Sequence, residues 1–199
     1  GNPLWYMDEK DANDNLTGKR VTTSDYASAS YYYVNKSSLP KVYGGFNTSL
    51  SWKGFDLSAI FAYSIGGYIY NRDITMILHN GSLEGRDWST EILKRWTPEN
   101  RYTDVPALST TSNNWNSAST RFLQNNSYMR LKNLTLSYDL PKQWISKLAL
   151  SSVQVFVQGD NLFTIHRNQG LDPEQGITGI TYYRYPAMRT ISGGINLSF

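Results

Sequence analysis

The sequence predicts an all-β protein: about five C-terminal strands of a large antiparallel transmembrane β-barrel, with long extracellular loops that contain short helices. Three observations lead to this fold class. Apolar and polar side chains alternate along several segments, short turns alternate with long loops, and residues 192–199 form a strand that reaches the last residue and ends in an aromatic ring. A closed barrel needs such a strand, because pairing the last strand with the first removes the free sheet edges.

The terminal segment has one apolar face and one small, polar face. Ile195 points one way, while Asn196 points the other. The pattern resembles the terminal signal by which the barrel assembly machinery recognises outer-membrane barrel proteins. The residues of the match are Ser192, Gly194, Leu197 and Phe199. The alternative is an ordinary half-buried strand at the end of the chain.

The composition excludes several classes of protein. No run of residues approaches the ~20 apolar residues that a membrane-spanning helix needs. The chain contains 0 Cys, which excludes disulfide scaffolds, thiol catalysis and cysteine-bound zinc. The net charge of +3, without a run of Lys and Arg, indicates no nucleic-acid partner. No signal peptide is visible, so for an exported protein we expect a mature piece or an internal fragment.

Residues 1–40 are predicted to be a loop. A cluster of acidic and amide side chains in it invites comparison with a calcium-binding EF-hand loop. The cluster comprises Asp8, Glu9, Asp11, Asn13, Asp14 and Asn15. A loop that begins at Asp11 needs Gly at its sixth position and Glu at its twelfth. Those positions hold Leu16 and Thr22, so the pattern favours a solvated Asx-rich turn over a calcium site.

Residues 41–52 and 55–65 are predicted to form a β-hairpin with a two-residue turn at Lys53 and Gly54. Both segments alternate apolar and polar side chains, and an aromatic residue stands on each side of the turn. Aromatic residues at strand ends are typical of the two interfaces of a membrane. In a soluble sandwich, the same residues would pack the hairpin instead.

Residues 66–126 are predicted to be a long loop with two short helices, at 72–79 and 89–96. Ser89 is the expected N-cap of the second helix, which stops before Pro98. A connection of this length is improbable in a compact domain unless it has a function. On an outer-membrane barrel it is expected, because extracellular loops are long and periplasmic turns are short.

Three further strands are predicted at 127–139, 150–158 and 187–199. The apolar parity of the first changes at Lys132, which indicates a β-bulge there or an exit from the apolar band. A short and partly helical turn is expected at 141–148, and a second long loop at 160–185. We expect all five strands to pair antiparallel with their neighbours in sequence order.

The alternation also predicts which side chains face lipid. The outward band is expected to contain Phe46, Leu50, Phe55, Leu57, Phe61, Leu134, Leu136, Val153, Val155, Ile195 and Leu197. Side chains expected to face the lumen are Asn47, Ser49, Gln154 and Asn196. About five strands do not close a barrel, since the smallest membrane barrels have about 8. The chain is therefore expected to be part of a larger barrel.

Several motifs together resemble the SusC/RagA family of TonB-linked outer-membrane transporters. They lie at 52–58 (WKGFDLS), 95–100 (RWTPEN), 127–138 (SYMRLKNLTLSY), 159–164 (GDNLFT), 170–174 (GLDPE) and in the terminal strand. Their order and spacing match the C-terminal portion of that family across nearly the whole chain. We therefore expect residues 1–199 to be one C-terminal barrel segment, with the plug domain and the earlier strands absent.

The resemblance implies a barrel of about 22 strands with an N-terminal plug. It implies a protein of the outer membrane of a Gram-negative bacterium that imports oligosaccharides or peptides. The implied partners are a SusD-like surface lipoprotein, the TonB complex acting through the missing plug domain, the barrel assembly machinery, the remaining strands of the same barrel and outer-membrane lipid. It implies no cofactor.

No set of residues predicts catalysis, so we do not expect an enzyme. His79 and His166 have no partners at the spacing that a metal site or a nucleophile needs. Asp172 and Glu174 would be the carboxylate pair of a glycosidase, but they flank Pro173 in a loop. Turn chemistry explains them better.

The aromatic residues of the loops are the only predicted binding signal. They are Trp88, Trp115, Tyr182, Tyr183 and Tyr185. Their rings are suited to stacking on sugar faces or to holding peptide side chains. The alternatives are that they pack the loops together or belong to the interfacial aromatic girdle.

One other class of protein remains open at this stage. A soluble, secreted, β-rich carbohydrate-binding domain such as a sandwich also shows alternation and frequent turns. The length of the 66–126 loop and the aromatic residue at position 199 argue against it.

Overall fold

The computed structural model describes residues 1–79, 81, 83, 85–109, 114–146, 150–168, 170, 172–174 and 176–199. The chain divides into two compact units. The first, called the loop unit here, comprises Gly1–Lys36, Tyr70–Leu123 and Ile180–Tyr182. The second, called the sheet unit, comprises Ser37–Ile69, Gln124–Gly179 and Tyr183–Phe199.

Most of the regular secondary structure in the described residues is β-strand. The strands are β1 (Trp5–Lys10), β2 (Leu16–Thr23), β3 (Val42–Trp52), β4 (Phe55–Ile65), β5 (Tyr68–Asn71), β6 (Leu123–Asn125), β7 (Tyr128–Asp139), β8 (Ser152–His166), β9 (Ile180–Thr181) and β10 (Thr190–Ser198). The α-helices are α1 (Arg72–Ile77) and α2 (Lys142–Ile145). Short 3-10 helices lie at Tyr26–Ser28, Thr90–Lys94, Asn114–Asn116 and Thr120–Phe122.

A five-stranded antiparallel sheet dominates the sheet unit. Its order is β10-β8-β7-β4-β3, so each strand pairs with its neighbour among the predicted five. All five predicted strands are confirmed. The turn between β3 and β4 has positive φ at Lys53 (49°) and Gly54 (87°), the backbone that two-residue hairpins use. β8 continues to His166, so the predicted loop at 160–185 begins too early.

A β-bulge interrupts the pairing of β7. Leu131 pairs with Phe163 and Asn133 pairs with Asp160, and the register shifts between these two pairs. The register with β4 shifts at the same place. The predicted bulge at Lys132 is therefore confirmed. Its consequence is that Arg130, before the bulge, and Asn133, after it, lie on the same polar face of the sheet.

The apolar face of the sheet is not covered by a second layer in the described part of the chain. Most residues of the predicted outward band are exposed; these are Phe46, Leu50, Phe55, Leu57, Leu136, Val155, Ile195 and Leu197. The prediction is wrong for Val153, which is buried, since α2 packs against β8 at this end of the strand. The apolar side chains do not converge on a closed interior, so the sandwich alternative is wrong.

Residues 1–40 contain a β-hairpin rather than only a loop, which corrects the sequence prediction. β1 and β2 pair antiparallel, with Met7 opposite Val21. The predicted Asx turn connects them. One carboxylate oxygen of Asp11 accepts hydrogen bonds from the amides of Asn13 (2.8 Å) and Asn15 (2.9 Å). Those two amides lower the pKa of Asp11, with the bond from Asn15 contributing most.

Both predicted helices of the 66–126 segment are present, although shorter than expected. Asn71 caps α1 through a side-chain bond to the amide of Ile74 (3.0 Å). The second helix is a 3-10 turn, and Ser89 caps it as predicted. The turn at 141–148 contains α2, while residues 147–148 lie outside the described residues. Among the described residues, no helix has both the length and the apolar character to cross a membrane.

The loop unit has its own small apolar core. Leu78, Ile92, Val105 and Trp115 are buried against one another, and Ile74 packs on them. Trp115 is only 3% exposed, so this ring packs the loops together. The sequence left open whether Trp115 binds a ligand, packs the loops together or lies at the membrane interface, and its burial shows that it packs the loops.

The loop unit should depend on the ring of Trp115. Replacing a large buried ring with a methyl group leaves a cavity that typically lowers the free energy of unfolding by about 3–5 kcal/mol. We expect Trp115→Ala to open the loop unit, and we expect the backbone amide of Trp96, which donates to the carbonyl of Val105 (2.8 Å), to exchange hydrogen faster. Exchange measured by mass spectrometry checks this.

Tyr102→Ala is the matched control, because Tyr102 is an aromatic residue of the same unit whose side chain is fully exposed. Its exchange should equal that of the wild type. Equal protection in the Trp115 variant would show that the loop unit does not depend on this core.

Candidate functional site

The predicted binding aromatics are divided between the two units. Trp88, Trp115 and Tyr182 belong to the loop unit, while Tyr183 and Tyr185 belong to the sheet unit. Four of the five are exposed, and Trp115 is buried. The exposed rings keep a face that a ligand can approach.

Trp88 is held in place by His79. The indole N–H of Trp88 donates to Nδ1 of His79 (3.1 Å), and the two rings meet edge to face at 5.3 Å. The same Nδ1 accepts the amides of Gly81 and Leu83. Burial lowers the pKa of His79, and an Nδ1 that accepts hydrogen bonds carries no proton. His79 is therefore a neutral residue that organises its loop. Among the described residues, no group of His, Asp and Glu side chains is arranged to hold a metal ion.

Tyr182 is oriented by a cation. The guanidinium of Arg72, at the start of α1, lies 4.4 Å from the centre of the Tyr182 ring. Tyr183 has a positive φ of 48°, which is unusual for a residue with a side chain and indicates a locally constrained backbone. Tyr185 is 97% exposed and precedes Pro186, which restricts its backbone to extended conformations.

The loop unit contains a cavity of about 900 Å³. Aromatic side chains from two parts of the unit line it, including Trp5, Tyr26, Tyr32, Trp96 and Trp115. Its volume falls in the range of ligand pockets, which combine apolar walls with a few polar groups. The guanidinium of Arg121 lies 5.1 Å from the ring centre of Trp115 and supplies charge at this wall.

The polar face of the sheet carries an ionic cluster that we call the Arg130 cluster: Arg130, Lys132, Thr164, Asp172 and Glu174. Arg130 donates through Nε to Thr164 (2.8 Å), through Nη2 to Asp172 (2.5 Å) and through Nη1 to Glu174 (2.7 Å). Lys132, which projects from the bulge, contacts both carboxylate oxygens of Glu174 (2.6 and 2.7 Å). The planar fork of arginine suits several acceptors at once.

The central pair of this cluster is buried. The side chain of Arg130 is 4% exposed and that of Asp172 is 6% exposed. Removing one partner of a buried ion pair leaves an uncompensated charge, at a cost of about 3–5 kcal/mol. The cluster is therefore a strong connection between β7 and the 172–174 segment. The carboxylate pair of Asp172 and Glu174 serves this connection.

Asp172 remains ionised at neutral pH. Burial acts to raise its pKa, but the amides of Ala187 and Glu174 and the guanidinium of Arg130 outweigh burial and hold the pKa below its usual value. Because the folded state has the lower pKa, the stabilisation is complete above the pKa of the unfolded chain. It is lost as the pH falls through the folded pKa, in acid.

The Arg130 cluster was not predicted from the sequence. Asp172 and Glu174 were expected in a turn, and Arg130 had no expected role. One signal was available: Arg130 stands between the apolar residues Met129 and Leu131, next to the predicted bulge, where a side chain is redirected. The partner segment lies 42 residues later, so its proximity was not readable from spacing.

The terminal strand has the predicted form. β10 pairs with β8, with Leu197 opposite Val153 and Gly194 opposite Phe156. The ring of Phe156 lies across Gly194, and a Cβ at that position would approach it to 2.8 Å. A larger residue at position 194 would therefore have to displace the ring of Phe156. The side chain of Phe199 is exposed.

No family model matches the chain. TonB-dependent receptor P3 of Formosa agariphila is 33% identical over 166 residues, which are 78% of this chain and 16% of that protein. TonB-dependent receptor SusC of Bacteroides thetaiotaomicron is 27% identical over 168 residues, which are 84% of this chain and 16% of that protein.

Solved structures give the same relationship. A chain of the RagAB peptide importer in its closed-closed state superposes with a TM-score of 0.81 and 35% identity, and the match covers 100% of this chain and 21% of that one. The chain thus spans about a sixth to a fifth of the length of the relatives it matches. The antiparallel strands, the uncovered apolar face and these matches lead to one conclusion. The chain matches the SusC/RagA-type TonB-dependent receptors, in the C-terminal part of their barrel.

Proposed function

We propose that this chain is part of the wall and of the extracellular loops of an outer-membrane importer that takes up oligosaccharides or peptides with energy relayed by TonB. In this proposal, residues 1–199 are the C-terminal segment of the barrel. The plug domain and the earlier strands belong to the rest of a longer protein, which resides in the outer membrane of a Gram-negative bacterium. No step of this function requires covalent chemistry.

One observation carries the proposal. The five-stranded sheet exposes an apolar face on one side and a polar face on the other, within a chain that superposes along its whole length on part of the RagAB peptide importer. A sheet with this division suits a wall between lipid and an aqueous lumen. A sheet from a soluble protein would need a second layer on its apolar face.

In this proposal, aromatic residues of the loops in each unit bind the ligand. Trp88, Tyr182, Tyr183 and Tyr185 present exposed rings that suit stacking on sugars or on peptide side chains. Trp115 takes part as a buried support, since it lines the cavity of the loop unit from within the core. We further propose a SusD-like surface lipoprotein as the partner that covers the ligand from outside.

The full-length transporter that carries this chain tests the proposal. Cells expressing it, with and without the surface lipoprotein, receive labelled oligosaccharides from a polysaccharide digest or labelled peptides from a casein digest. We expect accumulation of one of the two classes, and we expect deletion of TonB or of the lipoprotein to abolish it. Accumulation that persists without TonB would contradict active import and indicate a passive pore.

A second proposal concerns assembly. Ser192, Gly194, Leu197 and Phe199 are proposed to be the signal that the barrel assembly machinery reads, with the ring of Phe199 at the periplasmic interface. Burial of the Phe199 ring contributes about 1.5–3 kcal/mol to stability. If the ring is also part of the assembly signal, its loss should reduce assembly by more than this loss of stability explains.

We therefore expect Phe199→Asp to reduce the amount of folded full-length protein in the outer membrane, with little change in synthesis. Heat-modifiable mobility of membrane fractions on gels measures the folded fraction. Tyr102→Ala, an exposed loop substitution, is the control and should leave the folded fraction unchanged. An equal folded yield from the Phe199 variant would make the terminal segment an ordinary strand.

A further inference from the structure

We propose that Arg130 is a positioning residue for ligand binding: it holds the segment that presents Tyr183 and Tyr185. This inference rests on the proposed function, because it assumes that these rings meet the imported ligand. Arg130, Asp172, Tyr183, Tyr185 and Ala187 all belong to the sheet unit.

Asp172 is the point at which two parts of the loop meet. Its Oδ1 accepts from Arg130 and from the amide of Glu174 (2.9 Å), and its Oδ2 accepts the amide of Ala187 (2.6 Å). The bond to Ala187 closes the chain between residues 172 and 187 into a loop. Arg130 fixes that closure point to β7. The buried guanidinium therefore ties the closure point to the sheet, next to the hydrogen bond that the side chain of Asn126 donates to the carbonyl of Pro173 (2.9 Å).

The closed loop ends next to the exposed tyrosines. Tyr185 lies two residues before Ala187, and Pro186 between them restricts the backbone on both sides. On the other side of Ala187, the carbonyl of Met188 accepts a hydrogen bond from the side chain of Asn161 (3.2 Å). Residues 185–188 are thus tied to the sheet through Ala187 and Met188. A ring in such a segment loses less conformational freedom on binding a ligand.

The backbone pairing of the sheet does not use the side chain of Arg130. The backbone of Arg130 pairs with Ala62 on β4 and Thr164 on β8, and these pairings do not involve the guanidinium. Its side chain contacts one strand residue, Thr164, and two loop residues, Asp172 and Glu174. Loss of the side chain should therefore loosen the loop at Asp172 and leave the strands of the barrel wall paired. A residue that only stabilised the barrel would not separate these two effects.

The test uses the full-length transporter and three variants. Arg130→Met removes the charge and keeps most of the volume. Arg130→Lys keeps the charge but lacks the fork that contacts three partners. Lys94→Met is the matched control, since it removes a cation from the exposed pair that Lys94 forms with Glu91 in the loop unit. Heat-modifiable mobility first establishes that each variant has the folded fraction of the wild type.

Two measurements then report on the loop and on the ligand. Trypsin cleaves after Arg184 and Arg189, which flank the Ala187 connection, so its rate there measures how well the segment is held. Binding of labelled casein peptides or labelled oligosaccharides, whichever class the transporter accumulates, measures affinity. We expect Arg130→Met to accelerate cleavage and to weaken binding by about tenfold each, Arg130→Lys to fall between, and Lys94→Met to match the wild type.

Tyr185→Ala completes the experiment as a double-mutant cycle. If Arg130 acts through the tyrosine segment, the effects of Arg130→Met and Tyr185→Ala on affinity should not add, because the first already removes what the second deletes. Fully additive effects would overturn the positioning role.

The remaining outcomes are also decisive. Unchanged cleavage in Arg130→Met would overturn the claim that Arg130 holds the loop. Faster cleavage with unchanged affinity would overturn the link to ligand binding. If the wild type accumulates neither class of ligand, the proposed function fails, and the cleavage rates alone still decide whether Arg130 anchors the loop.

Discussion

A strand that crosses a lipid bilayer must satisfy its backbone N–H and C=O groups within the sheet, because lipid offers no partners. The rest of this structure depends on that constraint. The five strands β3, β4, β7, β8 and β10 pair antiparallel in this order, so each strand of the sheet lies beside the next one along the chain. Once the backbone is satisfied in this way, each strand has only two faces to distribute between lipid and water. The alternation of side chains follows directly.

The one break in the ladder is where the sheet acquires a specific polar feature. The bulge at Lys132 changes the parity of β7, so that Arg130 joins the polar face while Leu131 stays on the apolar face. This places a guanidinium within reach of Asp172 and Glu174, which would otherwise be a surface turn. A local irregularity of the barrel wall thereby becomes the anchor of a loop. The tyrosines near Ala187 depend on this anchor for their position.

Much of the fold could be predicted from the sequence because its causes are local. Alternation over about ten residues specifies a strand, and Lys53-Gly54 specifies its turn. The hairpin β1–β2 was not predicted, because polar residues such as Thr17 and Lys19 in its strands hide the alternation of apolar and polar side chains. Val153 was assigned to lipid by parity, but α2 covers it, and a contact of that kind is not visible in a period-two pattern.

The candidate site was less predictable, because its parts are distant in sequence. Aromatic residues in loops indicate binding or packing, and composition alone does not separate the two. Trp115 proved to be core because Leu78, Ile92 and Val105 come from different parts of the 66–126 segment to meet it. The Arg130 cluster depends on a loop that returns to the sheet after 42 residues. Neither the contacts of Trp115 nor those of Arg130 can be predicted from a local sequence pattern.

Site-directed spin labelling tests the central claim, that one face of the sheet meets lipid and the other meets water. The chain contains 0 Cys, so single cysteines can be introduced without background from it. In the full-length protein in vesicles, lipid-soluble oxygen should enhance the relaxation of spin labels at Leu50, Leu57 and Phe61. A water-soluble nickel complex should enhance the relaxation of labels at Ser49, Ser58 and Ala62. Equal accessibility of both sets, or the reverse order, would contradict the barrel-wall account.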